Sequence, residues 1–443
     1  MFEIKGKYTT AKVMIDAVEE TCVKQIHGFL NHPAFTNPIS IMPDTHAGKG
    51  SVIGFTMPLT SKVIPNVIGV DIGCGMLSYN LGTELNISLE QLDKQIREKV
   101  PFGFSTHDKA VMHFKNEFPW TKVRESAKQF TNAYNKKFNT NFISELYEGE
   151  DKWFQKKCEQ IGADQRRVIN SIGTLGGGNH FVEIGKSADD HFWLTIHTGS
   201  RNFGKCVCEY WQNYAIKVVK KEKDEIVSNE IKRIRETFVK SNIEQEIKVL
   251  RQHYSLDNIS QQLCYLEGES VIRYLFDMIF AQQYAQVNRE HIAKIISNLI
   301  NPAMKAFQQV ESVHNFIDFR DFIIRKGAIR SYTDELMIIP FNMRDGILLC
   351  KGKSNSEWNY SAPHGAGRVL SRSAAKREVK LEDFEKSMQG IFSTSIGLGT
   401  LDESPMAYKD SKMIEEAIEP TAEIIAKIKP ILNMKDSEGK EKD

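Results

Sequence analysis

Strand-and-turn texture occurs in separate blocks of this sequence, divided by long polar and helical stretches, and this arrangement limits the fold more than any other feature. From Ile39 to Leu81, Val52, Ile53, Val63, Ile64, Val67, Ile68 and Val70 are punctuated by Pro43, Pro58, Pro65 and repeated glycines, which predicts short strands joined by tight turns. The same texture returns from Ser171 to Asn202 and ends near Gly204. Between the blocks, Ser88 to Arg167 is polar, aromatic and charged, with helical spacing at Leu89, Leu92 and Ile96. After them, residues 206–299 are rich in Glu, Lys, Gln and Ile and predict a mainly helical segment. Strands and helices without regular βαβ alternation indicate an α+β fold, not a doubly wound sheet. No repeat with a period of 20–50 residues is present, which excludes solenoids and propellers.

The balance of 58 Lys+Arg against 57 Asp+Glu over 443 residues excludes a globally basic nucleic-acid binder, so any RNA or DNA site must be local. With 41% hydrophobic and 26% charged residues, the chain is neither collagen-like, disordered nor a disulfide scaffold. The seven cysteines are odd in number and form no CxxC pair, and no charged-then-apolar leader opens the chain, so a reduced cytoplasmic setting is expected. Apolar runs such as Leu336–Phe341 fall far short of the roughly 18 residues of a membrane span, so no membrane association is expected. The charged stretch Lys217–Lys248 suits a solvated amphipathic helical pair better than a coiled-coil arm or a partner surface, and the polar tail from Lys435 to Asp443 is expected to fray.

Four histidines, His180, His197, His314 and His364, lie in short segments dense in Gly, Asn, Asp or Ser. The triple glycine before Asn179 and His180 would let backbone N–H groups approach a phosphate, although strand alternation through Val182 and Ile184 by itself suits a satisfied core histidine better than a ligand. In Trp193–Arg201, Leu194 and Ile196 alternate against Thr195 and His197, so His197 faces the more polar side at a strand end. In Asp71-Ile72-Gly73-Cys74-Gly75 the glycines permit a turn that brings a carboxylate and a thiol together as adjacent metal ligands. One Cys, one Asp and three His exceed one tetrahedral site and suggest two divalent ions with the thiolate as a bridge; the donors suit zinc, or manganese or magnesium where phosphate oxygens complete the shell. His364, followed by Gly365, Ala366, Gly367 and Arg368, is either a nucleophile toward phosphorus with Arg368 gripping the phosphate bidentately, or an incidental residue of a Gly-rich turn.

Taken together, these segments resemble the RNA-splicing ligase RtcB family. The resemblance runs through Met42–His46, Asp71–Gly75, Gly177–Glu183, His197–Arg201, Tyr284–Arg289, His314-Asn315, Arg325–Ala328, His364–Arg368, Asp402–Lys409 and Lys435. It implies one large α+β domain over residues 1–443, with a β-sandwich core, peripheral helices and a peripheral insert at 103–165. It also implies an RNA ligase that joins 2′,3′-cyclic phosphate or 3′-phosphate ends to 5′-hydroxyl ends with GTP and two manganese ions, in RNA repair or tRNA splicing, in some members with the small activator archease. By the same resemblance Cys74 bridges the metals, with His197 and His314 on one and Asp71 and His180 on the other. His364 takes GMP, and Asp44 fixes its tautomer. Asn179, His180, Phe181, Val182, Glu183, His314, Asn315, Pro340, Phe341, Asn342, Met343, Gly365, Ala366, Gly367 and Lys435 belong to the implied nucleotide-binding set. The chain departs from the family at Phe341, where a glycine is usual, and at Ile347, where a small hydroxyl residue is usual. Altered guanine recognition is therefore expected, with Phe341 either crowding the nucleotide or stacking on its base. The competing functions are a two-metal phosphodiesterase or phosphatase acting on RNA ends and a weakly active RNA-binding relative.

Overall fold

In the computed structural model, which describes residues 1–237, 243–255, 261–301 and 308–437, an α+β fold is built around two large sheets. The strands are β1 (Phe2–Lys5), β2 (Thr10–Val13), β3 (Ile39–Ile41), β4 (Phe55–Pro58), β5 (Gly75–Gly82), β6 (Phe181–Lys186), β7 (Phe192–Thr198) and β8 (Gln308–Val313). They continue with β9 (Phe316–Asp318), β10 (Ile323–Lys326), β11 (Ala328–Arg330), β12 (Leu336–Pro340), β13 (Ile347–Gly352), β14 (Ser361–Pro363) and β15 (Ala422–Met434). One sheet has the order β1-β2-β3-β4-β10-β9, the other β12-β13-β15-β6-β7-β5-β8, and β11 pairs with β14 beside them.

The seven-stranded sheet is antiparallel throughout and curls until its edges nearly meet, where the Ile338 N–H of β12 donates to Ser312 Oγ of β8 at 2.9 Å. Alternation along each strand then sorts side chains to inside and outside. Met76, Phe181, Trp193, Val310, Ile338, Ile347, Leu349 and Ile428 form an interior cluster to which every strand of this sheet contributes. Val182, Ile184, Leu194 and Ile196 turn outward into a second cluster with Ile292, Ile296 and Ile300. One row of the inner face is polar: Ser78, Thr195, Glu183 and Asn433 are register neighbours across β5, β7, β6 and β15.

The helix Glu269–Ile300 ties the two sheets together. It is apolar on nearly all sides, as a core helix must be: Val271 to Val287 pack into the largest cluster, with residues of the six-stranded sheet, and Ile292 to Ile300 cover the outside of the curled sheet. Residues 103–165, expected as a peripheral insert, supply Phe114, Phe118, Trp120, Phe130 and Phe154 to that largest cluster, and Phe118 lies 5.2 Å from Phe280 of this helix. Their aromatic rings, scattered among charges in the sequence, are a packing surface. The segment 206–299 is mainly helical, over Arg201–Thr237, Ile243–His253 and Glu269–Ile300, with Leu266 pairing with Val63 in the break before the last of these. From Ile216 to Glu236 and across Ile243–His253 no residue is fully buried, as a solvated helical pair requires; residues 238–242 of that stretch, and the tail from 438 onward, lie outside the described residues. Among the described residues no helix is long and apolar enough to cross a membrane.

Where the helix passes the end of the curled sheet it carries Asn288 and Arg289, both fully buried. Asn288 Oδ1 accepts from the Gly173 and Thr174 N–H groups, and its Nδ2 donates to Thr174 O, Thr198 Oγ1 and Gly199 O. Arg289 Nη1 donates to Gly73 O and Thr198 O, each at 2.9 Å. These two side chains fasten three loops that no strand pairing holds. Asn288→Leu, of similar volume, leaves several buried backbone groups without partners and is expected to lower stability by about 3 kcal/mol. Chemical denaturation of the two proteins side by side checks this, and an unchanged midpoint would show that the loops are held by other means.

Candidate metal centre and adjoining cavity

Three loops and the end of β7 converge on a single thiol at one end of the curled sheet. Cys74 immediately precedes β5, in a turn where Gly73 has φ +71° and lies too close to the Gln282 backbone for a side chain; the Cys74 N–H donates to Asp71 O at 3.2 Å. That turn brings the Asp71 carboxylate and the Cys74 thiol together, as the glycines predicted. His197 is near the end of β7 on the inner face, and His314 follows β8. His180 escapes the alternation of β6 because it stands before the first paired residue, Phe181, and is drawn toward Asp71 instead.

The donor atoms form two triads that share Cys74, one with His197 and His314 and one with Asp71 and His180, each with its ligand atoms within 4.8 Å of one another. Cys74 Sγ is 3.3 Å from His197 Nε2 and 3.5 Å from His180 Nε2. His197 Nε2 is 3.3 Å from His314 Nε2, and His180 Nε2 is 2.9 Å from Asp71 Oδ2. Two imidazoles are aimed from behind: His180 Nδ1 meets Leu175 O at 2.9 Å and His197 Nδ1 meets Asn179 O at 3.2 Å, which places the proton on Nδ1 and the lone pair on Nε2. Burial holds His197 and His314 well below the ordinary imidazole range, so both are neutral donors. Burial, then the Asp71 carboxylate, pushes the Cys74 thiol well above its ordinary range. A thiol so placed becomes a thiolate only with a cation beside it, and the mixed sulfur, nitrogen and oxygen donors fit a pair of divalent metal ions.

His364 stands next to this cluster, its ring 4.7 Å from that of His314. Its Nδ1 is 2.6 Å from Oδ2 of the fully buried Asp44, which also accepts the His364 backbone N–H at 3.2 Å. Nδ1–H therefore donates to the carboxylate, which in the neutral ring puts the lone pair on Nε2. Asp44 is itself held: Lys409 Nζ donates to the carbonyls of Pro43 and Thr45, both at 2.9 Å, and Gly367, at φ +74°, fits against the Asp44 carbonyl where a side chain would clash.

The cavity that His364 lines has an empty volume of about 830 Å³. Of the sequence-predicted residues, Asn179, Phe181, Glu183, Pro340, Phe341, Asn342, Met343, Gly365, Ala366, Gly367 and Lys435 line it. Val182 does not, because alternation turns it to the outer, helix-covered face. Asn315 does not either: at φ +58° it sits in a turn, its Oδ1 accepting from Gly327 N–H and its carbonyl from Gly73 N–H, so it joins two loops behind the site. Arg368 lines the cavity, but the bidentate phosphate grip expected of it is taken up by the protein. Its guanidinium donates to Leu370 O, Asp402 O, Glu403 Oε1 and Tyr408 Oη.

Ile347 belongs to the interior cluster of the curled sheet and is absent from the cavity wall, so the hydroxyl expected to be missing there would have been buried among apolar side chains. Ile347→Ser is expected to destabilise the fold by about 3 kcal/mol, through lost packing and an unpartnered hydroxyl, without improving nucleotide binding. A denaturant titration beside a nucleotide titration separates the two effects; tighter nucleotide binding would return Ile347 to the site. Phe341 both lines the cavity and packs with Ile329, Met337, Ile339 and Leu348.

The sequence reading missed His46, Arg372, Glu403, Tyr408 and Asn433 in this wall. Burial alone would raise Glu403, but Lys435, Arg372 and Arg368 outweigh it and hold the carboxyl at about 2. Lys435 Nζ reaches Glu403 Oε2 at 3.0 Å and Tyr408 donates to the same oxygen at 2.6 Å. Three cations thus gather around Glu403, and Asp402 Oδ2 pairs with Arg372 at 3.3 Å. The Asp402–Lys409 motif was the signal that could have supplied Glu403 and Tyr408; Asn433 had none.

The family model described as tRNA-splicing ligase RtcB matches residues 25–436. The RNA-splicing ligase RtcB of Escherichia coli (strain K12) is 26% identical over 444 residues, covering 94% of this chain and 95% of that protein. RNA-splicing ligase RtcB1 of Escherichia coli (strain ATCC 25922) is 26% identical with the same coverage. The tRNA-splicing ligase RtcB of Archaeoglobus fulgidus is 24% identical, covering 96% of this chain and 92% of its own.

Proposed function

Because the chain belongs to the tRNA-splicing ligase RtcB family, we propose that it is an RNA ligase that joins 2′,3′-cyclic phosphate or 3′-phosphate ends to 5′-hydroxyl ends at the expense of GTP, through GMP carried on His364. The observation that supports this most strongly is the 2.6 Å contact between His364 Nδ1 and buried Asp44, which fixes the proton on Nδ1 so that the neutral ring carries its lone pair on Nε2, in a cavity beside the donor cluster. In the first step the Nε2 lone pair forms a bond to the α-phosphorus of GTP. The bond from that phosphorus to the β-phosphate oxygen breaks, and pyrophosphate leaves with the electron pair. The imidazole keeps its proton on Nδ1, where the Asp44 carboxylate stabilises the positive charge that develops on the ring. A 2′,3′-cyclic phosphate end is first opened by water to a 3′-phosphate; the 3′-phosphate then takes GMP as the bond to His364 Nε2 breaks, and attack of a 5′-hydroxyl on the activated 3′-phosphate displaces GMP.

Asp71, Cys74, His180, His197 and His314 would hold two manganese ions, which supply charge neutralisation at the phosphate oxygens. Asn179, Phe181, Glu183, the 340–343 loop, Gly365, Ala366, Gly367 and Lys435 would surround the nucleotide. An activator of the archease type belongs to the same proposal. Incubation with α-labelled GTP and manganese, followed by denaturing electrophoresis, tests it. The expected result is a labelled protein band that is stable in base and lost in acid, as a phosphoramidate is, together with joining of RNA ends. RNA ends consumed by hydrolysis with no labelled band would overturn it in favour of a two-metal phosphodiesterase or phosphatase.

A further inference from the structure

The two donor triads open on different cavities. His197 lines the one beside His364, whereas Asp71 and His180 line a second, with an empty volume of about 1140 Å³. The partition is thin: Asn179 and Lys435 face the first cavity, and their chain neighbours His180 and Asp436 face the second. Phe104 stands in the wall of the second cavity with 59% of its surface exposed, and so does Val70, which immediately precedes Asp71. The ring is carried on a fixed turn. Phe104 O accepts from Arg167 Nη2 and Gly103 O from Arg201 Nη2, both at 2.7 Å, and the Gly103 N–H donates to Gly176 O at 2.9 Å. Gly103, at φ +59°, fits against the Asp436 carboxylate where a side chain would clash, and Phe102 packs instead against Arg97, 4.9 Å from its ring. Arg167, Arg201 and Lys205 share the wall with Asp71 and Asp436. An aromatic face held among cations is the surface on which the bases of a single-stranded nucleic acid stack.

The proposed joining step decides which strand this is. In an in-line displacement the attacking and leaving oxygens lie on opposite sides of the phosphorus. GMP leaves on the side of the cavity beside His364, so the 5′-hydroxyl enters from the side of the second cavity. We propose that Phe104 is the platform on which the base of the 5′-hydroxyl-terminal nucleotide stacks, so that the terminal hydroxyl is held at the Asp71–His180 side of the donor cluster. Stacking needs only a π face, so all four bases are accepted, the larger purines more tightly than the pyrimidines. This inference rests on the proposed reading of the chain as an RNA ligase.

Equilibrium binding of short single-stranded RNAs with a 5′-hydroxyl to the full chain, in the presence of manganese, tests it without requiring any joining. The wild type is expected to bind an RNA with adenine at the 5′-terminal position about tenfold more tightly than the same RNA made abasic at that position. Phe104→Ala is expected to bring that ratio close to one, and Phe104→Trp to keep it. With 2-aminopurine as the 5′-terminal base, fluorescence is expected to be quenched on binding to the wild type and to recover in Phe104→Ala. A ratio unaltered in the folded alanine variant, or quenching confined to 2-aminopurine placed at the 3′ end, would overturn the assignment. Base-dependent binding that is lost in Phe104→Ala, in a protein that GTP does not label, would support it while the role of His364 in nucleotide transfer falls. Failure of the wild type to bind RNA would overturn both.

Discussion

His364→Ala is expected to leave no nucleotide on the protein after incubation with α-labelled GTP and manganese, a loss of about 10⁴-fold or more in the rate of labelling. The size of the effect follows from the chemistry: among the described residues lining the cavity, no other side chain combines a neutral nitrogen lone pair with a buried carboxylate behind it. His46 also lines the wall, and burial lowers it to about 4, but its Nδ1 meets the Asp44 carbonyl at 3.0 Å, not a carboxylate that could stabilise a charged ring. Asp44→Asn isolates that stabilisation. The amide keeps the shape and can still accept from Nδ1, yet it carries no charge, so labelling is expected to slow by about 10²- to 10⁴-fold while nucleotide affinity changes little. Labelling that persists in His364→Ala at the wild-type rate would place the nucleophile elsewhere. Labelling at full rate in Asp44→Asn would reduce the carboxylate to a structural role.

Three donors of the candidate metal centre, Asp71, Cys74 and His197, were legible in the sequence because each sits where a local rule applies. A glycine-flanked turn joins Asp71 to Cys74, and alternation along β7 puts His197 on the inner, polar face. His180 obeyed no such rule. Counting alternation back from Val182 assigned it to the core face, whereas it stands outside the strand, in a turn whose carbonyl at Leu175 orients its ring. The cavity was less legible, since its walls come together only when β12 and β8 close the sheet and β15 is laid against β6. Asn433 is 250 residues from Glu183 and sits in a strand that reads as ordinary. Glu403, whose charge is set by Lys435, Arg372 and Arg368, acquires its chemistry entirely from residues distant in the chain. The aromatic residues of 103–165 misled for the same reason: the partner that buries them, the helix Glu269–Ile300, lies more than a hundred residues away.

Cys74→Ala is expected to abolish nucleotide labelling and end joining together, and to reduce bound manganese from about two ions per chain to below one. Each triad without the thiol retains only two donors: His197 with His314, and Asp71 with His180. Two ligands seldom hold a labile divalent ion against water. Cys74→Ser restores volume but not function, because a hydroxyl is far harder to deprotonate than a thiol, and this site already burdens its anion by burial and by the Asp71 carboxylate. Substitutions that touch one triad behave differently. His314→Ala removes a ligand from the first and Asp71→Asn one from the second, so each is expected to retain about one ion. The pair of single-triad variants therefore supplies the control that the cysteine variant needs: a protein damaged nonspecifically would lose metal in all three alike, whereas a shared ligand predicts a graded loss that is deepest at Cys74. Metal analysis of dialysed, folded protein reads this directly. A folded Cys74→Ala protein that keeps two ions and joins RNA ends would show that the two triads do not depend on their common thiol.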